Sequence, residues 1–437
     1  DMDYAETATF VLSKYLEEYD YASLLEACKK AYAKFEENDA APVVQIDENL
    51  YILELFHGPT LAFKDIALTL LPYLLRQGCD KSGIKEDVLI LVATSGDTGK
   101  AALEGFKDAK GIKVMVFFPS EGVSDMQKMQ MCTQEGANVN VVGVMGNFDD
   151  CQTQVKRIFT SPELKALLAE NNMLFSSANS INWGRLAPQI VYYVSAYCDL
   201  LAREDFEGEF NIVVPTGNFG NIFAAYIAKR MGLPLAKLVC ASNANCVLTD
   251  FFNGGVYNKR RDFHMTMSPS MDILISSNLE RLLYVTLGAE KTAEYMAKLD
   301  KDGRYALSEE DFAHIRKDFL GYSASEEDTA KTIRYTYENK NCLIDPHTAV
   351  AMYATEQYKK ENEAERRILT VSTASAYKFV SDDYTSLTGN KPSDELGALD
   401  MLRELTGEPI PSPLEGLGSK EALHTSVIEK SEMMDSV

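Results

Sequence analysis

From residue 86 onward, short apolar runs alternate with amphipathic segments, and this rhythm limits the fold more than any other feature of the chain. The predicted strands are Val88–Ala93 and Val114–Phe118, which are apolar runs, and Val139–Val144, with segments of helical spacing between them. A repeated strand–helix order is typical of a parallel sheet covered by helices. The pattern predicts a compact α/β subdomain over about residues 87–175.

A second alternation of the same kind follows. Its predicted elements are helix Leu186–Leu201, strand Phe210–Pro215, helix Asn221–Met231, strand Leu238–Ala241 and strand Arg367–Ser372. Residues 1–40 carry apolar side chains at three- and four-residue steps, which predicts helices. The proline-rich tail after Lys391 predicts irregular structure.

The two alternations together predict an α/β protein with two lobes, whose parallel-type sheets are covered by helices. We expect residues 1–86 to form an N-terminal helical segment that packs with the larger domain. Residues 87–175 are expected to form a small α/β domain. Residues 176–437 are expected to form a large α/β domain with a C-terminal extension.

The charge balance restricts the partners of the chain. Its 437 residues include 65 Asp and Glu against 43 Lys and Arg, a formal net charge of −22. A negative field repels nucleic acid and anionic membranes, so we expect neither as a partner, although a local basic pocket could still bind a small anion. The longest apolar runs are strand length, and Asp1–Glu6 lacks a targeting pattern, so we expect a cytoplasmic protein without membrane spans. The histidines are scattered without metal-ligand spacing, so no metal is expected.

Small and hydroxylic residues follow three of the predicted strands. These segments are Thr94–Gly99, Thr216–Asn221 and Ser372–Ser375. Ligands of open α/β sheets bind beyond the carboxyl ends of the strands. The three segments are therefore the candidate binding loops.

The segment Gly217–Asn221 is the best candidate for binding a phosphate group. Its glycines let backbone N–H groups approach an anion, and the following helix adds its positive end. The same residues are equally compatible with an ordinary glycine-rich turn. The segment Thr94–Ala101 can be compared with a nucleotide P-loop, because it contains Gly99 followed by Lys100. It fits poorly, since Thr94 stands where that motif begins with Gly and Ala101 stands where the motif needs Ser or Thr.

Lys64 lies between apolar residues, Leu61–Phe63 before it and Ile66–Leu68 after Asp65. Most lysines are solvated on the surface, but this pattern is also compatible with a partly buried amine. Burial lowers the pKa of a lysine and makes it a nucleophile or base.

Five segments in this order resemble the threonine synthase family, pyridoxal-phosphate (PLP) enzymes of fold type II. They are Leu55–Asp65, Thr94–Gly99, Ser180–Arg185, Pro215–Asn221 and Ser372–Ala374. The resemblance covers the chain from about residue 8 to about residue 415. It implies a two-lobed architecture like that of the tryptophan synthase β chain.

The resemblance implies roles for residues at matching positions. Lys64 resembles the lysine that holds the cofactor as a Schiff base. Thr373 resembles the hydroxyl partner of the pyridine nitrogen. Asp97 matches the loop that meets the cofactor ring, although it is equally compatible with a helix N-cap. The residues that match the cofactor phosphate cup are Gly217, Asn218, Phe219, Gly220 and Asn221.

Other matching positions imply contacts with the substrate. Ser95 and Thr98 match the loop that meets the substrate, while Ser180, Arg185 and Asn218 match contacts with its phosphate group. An arginine suits phosphate because it donates two parallel hydrogen bonds. Arg185 is also compatible with a cap or ion pair at a helix start.

The activity implied by the resemblance is that of a lyase of threonine biosynthesis. It converts O-phospho-L-homoserine and water into L-threonine and phosphate by γ-elimination and β-addition, as a monomer or homodimer. Two alternatives remain open. The chain is also compatible with a related PLP-dependent phospho-lyase or dehydratase, or with a threonine-synthase-like protein that binds ligand without turnover.

Overall fold

The computed structural model describes residues 2–36, 39–94, 96–120, 123–203, 206, 208–362 and 366–437. The strands, in chain order, are β1 (Val43–Asp47), β2 (Leu50–Glu54), β3 (Asp87–Ala93), β4 (Ile112–Pro119), β5 (Val139–Met145), β6 (Met173–Ser176), β7 (Phe210–Pro215), β8 (Leu235–Ser242), β9 (Val256–Asn258), β10 (Arg304–Ala306), β11 (Phe319–Ser323), β12 (Ile368–Ser372) and β13 (Val427–Glu429).

The α-helices, in chain order, are α1 (Tyr4–Leu12), α2 (Tyr21–Tyr32), α3 (Lys64–Leu68), α4 (Leu71–Lys81), α5 (Asp97–Phe106), α6 (Asp125–Cys132), α7 (Phe148–Thr160), α8 (Pro162–Glu170), α9 (Trp183–Leu201), α10 (Gly220–Met231), α11 (Val247–Gly254), α12 (Leu279–Leu287), α13 (Ala289–Asp302), α14 (Glu309–Arg316), α15 (Glu326–Lys340), α16 (Pro346–Asn362), α17 (Val380–Thr388) and α18 (Ala398–Thr406). Each α-helix among the described residues is too short or too polar to span a lipid bilayer.

The chain divides into two compact units. The first unit comprises Asp1–Ala40, His57–Pro188 and Asp394–Val437, and the second comprises Ala41–Phe56 and Gln189–Ser393. Each unit draws on separated parts of the sequence. The expected contiguous division at 1–86, 87–175 and 176–437 stays a prediction.

The first unit is built on a parallel sheet with the strand order β13-β5-β4-β3-β6. Strand β3 is apolar after Asp87 because both of its faces are buried. Val88, Ile90 and Val92 pack into the core on one face of the sheet. Leu89 and Leu91 pack into a second core on the other face. The prediction of a parallel sheet covered by helices is confirmed here.

The second unit is built on a sheet with the order β1-β2-β12-β7-β8-β11. The strands from β2 to β11 pair in parallel, and β1 is an antiparallel edge strand. Strands β9 and β10 form a small antiparallel pair. The β1–β2 hairpin follows residues 1–40, whose spacing predicted helices, so the segment expected to be helical over residues 1–86 also contains two strands.

The tail after Lys391 is more regular than its prolines indicated, and the expectation of irregular structure was wrong. Helix α18 buries Leu399 and Leu402 at a three-residue step, and β13 pairs in parallel with β5. Pro409, Pro411 and Pro413 lie between these two elements and Pro392 precedes α18, so none of them interrupts the hydrogen bonds of either element.

A close backbone contact joins α3 and α5 in the first unit. A Cβ atom on Gly105, near the end of α5, would lie 2.2 Å from the carbonyl oxygen of Leu68, the last residue of α3. Only glycine allows this separation. The contact fixes α5 against the helix that begins with Lys64.

We expect Gly105→Ala to lower the free energy of unfolding by about 1–3 kcal/mol, the usual cost of overpacking. The added methyl group meets backbone rather than a side chain that can rotate away. Urea unfolding followed by circular dichroism measures the change.

Gly254→Ala is the matched control, because Gly254 is also helical and a Cβ atom there meets nothing within 4 Å. Its effect should stay below about 1 kcal/mol. Equal stabilities for the two variants would contradict the close contact between α3 and α5.

Candidate active site

A tight turn presents Lys64 at the start of α3. The Asp65 carboxylate accepts hydrogen bonds from the Thr60 backbone N–H at 2.8 Å and from the Thr60 hydroxyl at 2.5 Å. Leu61 adopts a left-handed φ of 59°, and a Cβ atom on Gly58 would lie 2.5 Å from the Asp65 Cβ. Lys64, which lies between apolar residues in the sequence, is buried, at 8% exposure.

The Lys64 ammonium is paired with Asp97. Its Nζ atom lies 3.2 Å from Oδ2 of Asp97, whose own exposure is 6%. The second Asp97 oxygen, Oδ1, accepts a hydrogen bond from Nε2 of Gln127 at 3.1 Å. A Cβ atom on Gly96 would lie 2.3 Å from the Gln127 side chain, so glycine is required there. The carboxylate is thus oriented from both sides.

The loop after β3 is held by Thr94. Its hydroxyl oxygen accepts hydrogen bonds from the N–H groups of Gly96 and Gly99, each at 3.0 Å. The N-cap position of α5 is Gly96, and Asp97 is the first helical residue. Asp97 is therefore not the N-cap. Thr98 follows in the first turn and is half-buried, whereas Ser95 lies outside the described residues.

The segment with Ser180 and Arg185 leaves the sheet next to the Thr94–Gly99 loop. It follows β6, which pairs in parallel with β3, so both segments begin at the same carboxyl edge. Nη1 of Arg185 donates a hydrogen bond to the Ala178 carbonyl at 2.8 Å. Burial lowers the pKa of Arg185 to about 10, because a desolvated guanidinium is disfavoured. A bound anion would offset that cost.

Asn182 fixes the start of the helix that carries Arg185. Its side-chain oxygen accepts from the Gly184 N–H at 2.8 Å, and its Nδ2 donates to the Ser177 carbonyl at 2.9 Å. The capping role considered for Arg185 therefore belongs to Asn182. The half-buried Ser180 lies in the turn that Asn182 closes.

In the second unit, the other two candidate loops also share one sheet edge. Strands β7 and β12 pair in parallel, so Gly217–Asn221 and Thr373 follow neighbouring strands in the same direction. Thr373 is buried, at 6% exposure. Both segments therefore lie at one carboxyl edge of this sheet, and their role in binding stays a prediction.

The segment Ser276–Asn278 supports the glycine loop. The Ser276 hydroxyl donates to the Gly217 carbonyl at 2.7 Å, and Asn278 Nδ2 donates to the Asn218 carbonyl at 2.9 Å. Phe219 adopts a left-handed φ of 66°, which is costly for a residue with a Cβ atom. Its ring is buried against other aromatic rings, which offsets this strain.

The start of α10 offers hydrogen-bond donors. No side chain caps this helix, so its first N–H groups point out of the helix end without a capping acceptor. Asn221 is buried, and its Oδ1 accepts from the hydroxyls of Tyr192 at 2.6 Å and Tyr193 at 2.5 Å. Its Nδ2 donor has no acceptor among the described residues. This donor set suits a phosphate group.

Sequence reasoning missed several residues of these two regions. Gln127, Tyr192, Tyr193 and Asn278 each contact a predicted residue from a distant part of the chain. No local motif marks them.

Lys378 is a second buried lysine, at 1% exposure, and it follows the Ser372–Ala374 motif.

Comparisons with known proteins agree with this arrangement. Residues 40–374 match the family model described as "Pyridoxal-phosphate dependent enzyme". The chain is 41% identical to human Threonine synthase-like 1 over 392 residues, which cover 86% of this chain and 52% of the human protein. It is 36% identical to Threonine synthase of Saccharomyces cerevisiae over 416 residues, which cover 89% of this chain and 80% of the yeast protein.

A solved structure is similar over nearly the whole chain. The crystal structure of PLP-bound Threonine synthase from Brucella melitensis superposes with a TM-score of 0.87 at 34% identity, and it covers 99% of this chain and 88% of that chain. This likeness confirms the predicted fold type II architecture. The chain spans about half the length of the human relative.

The residues present fit the cofactor that the family uses. PLP has an aldehyde, a phosphate group and a pyridine nitrogen. The chain offers a buried amine at Lys64, an unsatisfied buried amide donor at Asn221 beside an uncapped helix start, and a buried hydroxyl at Thr373. The chain is a member of the pyridoxal-phosphate dependent enzyme family, in the group that contains the threonine synthases.

Proposed function

We propose that this protein converts O-phospho-L-homoserine and water into L-threonine and phosphate. The observation that carries the proposal is the buried Lys64–Asp97 pair, beside which a second loop from the same sheet edge presents a buried arginine. An amine and a phosphate-binding cation are the two groups that this reaction requires. The threonine synthases from yeast and Brucella support the choice of substrate.

Lys64 is the proposed catalytic residue. When bound, PLP supplies an aldehyde that captures an amine and a ring that accepts electrons from the substrate's Cα. The Lys64 amine would hold PLP through its aldehyde carbon and, once the substrate's amine had replaced it, would be free to accept the proton from Cα. Asp97 orients the amine through its 3.2 Å contact, and it is the residue that would meet the cofactor ring.

The remaining cofactor contacts are assigned to the second unit. Gly217, Asn218, Phe219, Gly220 and Asn221 bind the phosphate group through N–H donors. Thr373 binds the pyridine nitrogen through its hydroxyl. A neutral hydroxyl does not force a proton onto that nitrogen, so it moderates the electron demand of the ring.

Arg185 and Ser180 are the proposed ligands of the substrate's own phosphate group. The guanidinium is held by the Ala178 carbonyl and is desolvated, so an incoming dianion gains a strong charge-assisted contact. Ser95, Thr98 and Asn218 complete the proposed substrate contacts.

The order of proton transfers follows from the chemistry of the substrate. After Cα loses its proton, a second proton leaves Cβ, and the phosphate group then leaves from Cγ. Cγ then takes up a proton and becomes the methyl group, the hydroxyl of water adds at Cβ, and Cα regains a proton, which gives L-threonine. Binding of the phosphate group by Arg185 fixes the Cγ–O bond that breaks.

A related PLP-dependent phospho-lyase or dehydratase is the second candidate. The observation that keeps it open is the 41% identity to human Threonine synthase-like 1, whose name marks it as similar to a threonine synthase and not as one. Such an enzyme would release phosphate with a keto acid instead of threonine. The cytoplasmic location and the monomeric or homodimeric state remain predictions.

Product analysis decides between these candidates. The holoprotein is incubated with O-phospho-L-homoserine, phosphate is followed by a colorimetric assay, and the amino-acid product is identified by mass spectrometry. We expect phosphate and L-threonine in equal amounts, and no product from Lys64→Ala. Phosphate accompanied by a keto acid would contradict the proposal and favour the phospho-lyase.

Asn221→Asp should weaken PLP binding about tenfold or more, because it replaces the amide donor with a charged oxygen beside a phosphate group. The substitution keeps the oxygen that accepts from Tyr192 and Tyr193. Absorbance titration of the apoprotein measures the dissociation constant. The exposed Asn339→Asp is the control, and an unchanged constant for Asn221→Asp would place the phosphate elsewhere.

Arg185→Lys keeps the positive charge but loses the paired donors of the guanidinium. We expect the KM for O-phospho-L-homoserine to rise about 10- to 100-fold, with the PLP dissociation constant unchanged. Steady-state kinetics measure the effect, with the exposed Arg157→Lys as control. Loss of PLP binding at an unchanged KM would instead assign Arg185 to the cofactor.

A further inference from the structure

A buried carboxylate at the start of α16 organises polar contacts in the second unit. Asp345 is fully buried. Its Oδ1 accepts from the Thr348 N–H at 3.0 Å and from the Thr348 hydroxyl. Its Oδ2 accepts from the His347 N–H at 3.0 Å and lies 2.6 Å from Nδ1 of the His347 ring. These contacts fix the orientation of the imidazole.

The partners of His347 also fix the tautomer. Because a carboxylate accepts hydrogen bonds, Nδ1 carries the proton and donates to Asp345. Nε2 is then an acceptor, and it receives the Ser270 backbone N–H at 3.1 Å. The ring is 3% exposed and packs on Phe379, with a centroid distance of 4.8 Å. His347 therefore links the start of α16 to the turn Pro269–Met271.

That turn forms a wall behind the glycine loop. A Cβ atom on Gly217 would lie 2.9 Å from the Ser270 carbonyl oxygen and 3.1 Å from the Met271 Cα. The loop and the turn are in contact backbone to backbone. A displacement of the turn would therefore move Gly217. Loss of the hydrogen bond that holds Ser270 would displace the turn and have the same effect.

A second branch reaches the other cofactor segment. The Thr348 hydroxyl donates to Asp345, so the Ser372 hydroxyl donates to Thr348, at 2.9 Å. Ser372 immediately precedes Thr373. One buried carboxylate thus supports the turn behind Gly217 and the residue before Thr373.

We propose that His347 is a positioning residue for the phosphate group of the cofactor. By accepting the Ser270 N–H, it holds the turn Pro269–Met271 against Gly217 and keeps the donors of Gly217–Asn221 in place. The inference rests on the proposed function in one respect, namely that the cofactor phosphate binds to this loop. Turnover of O-phospho-L-homoserine is not needed to test it.

Two substitutions separate the roles of the ring nitrogens. In His347→Asn, the shorter amide can still donate to Asp345 from near the position of Nδ1, but it offers no acceptor to Ser270. In His347→Gln, the longer amide places an oxygen near the position of Nε2. The exposed His314→Asn is the control for the substitution itself.

The readout is the difference in affinity between PLP and pyridoxal, which lacks the phosphate group. We expect His347→Asn to raise the PLP dissociation constant at least tenfold and the pyridoxal constant less than twofold. We expect His347→Gln to restore most of the PLP affinity, and His314→Asn to match the wild type. The ³¹P resonance of bound PLP should shift in His347→Asn only.

Equal losses for PLP and pyridoxal would overturn the proposal, because they would indicate general damage to the fold. Unchanged PLP affinity in folded His347→Asn would overturn it as well. If His347→Asn does not fold, Ser270→Pro removes the same hydrogen bond by deleting the N–H, with the same expected loss specific to PLP. A wild-type chain that binds both compounds equally would instead contradict the phosphate site itself.

Discussion

The burial of one ammonium group against one carboxylate is the constraint on which the first unit depends. A charged lysine among apolar residues is costly unless a partner of opposite charge lies beside it. Asp97 provides that partner at 3.2 Å, and its helix is held against the helix of Lys64 by the contact of Gly105 with Leu68. The pairing of Lys64 with Asp97 at the starts of α3 and α5 thus depends on the absence of a Cβ atom at Gly105, near the end of α5.

In the second unit, hydrogen bonds hold the proposed binding loop in position. The anion-binding role proposed for the glycine loop Gly217–Asn221 needs N–H groups aimed at the anion, and such groups stay in place only when the backbone around them is held. Gly217 accepts a hydrogen bond from Ser276 and packs against the turn Pro269–Met271. His347 holds this turn by accepting the Ser270 N–H. In both units the binding segments follow neighbouring parallel strands, so the sheet sets their spacing.

The sequence predicted those strands and helices that depend on residues close together in the chain. Strand Phe210–Pro215 is apolar except for Asn211 because both of its faces are buried, and its bounds were recovered from the sequence alone. Contacts across long separations were not recoverable. Gln127 meets Asp97, and His347 meets Ser270, 77 residues away in sequence, with no periodic signal at either position. The helix Ala398–Thr406 was missed because prolines near it outweighed its two buried leucines.

The identity of the reactive amine is the central claim, and the chain contains a rival in the more deeply buried Lys378. Reduction of the PLP-loaded protein with borohydride fixes the cofactor to whichever lysine holds it, and peptide mass spectrometry then locates the pyridoxyl group. We expect modification of the peptide that contains Lys64 and of no other. A pyridoxyl group on Lys378, or on no lysine at all, would contradict it.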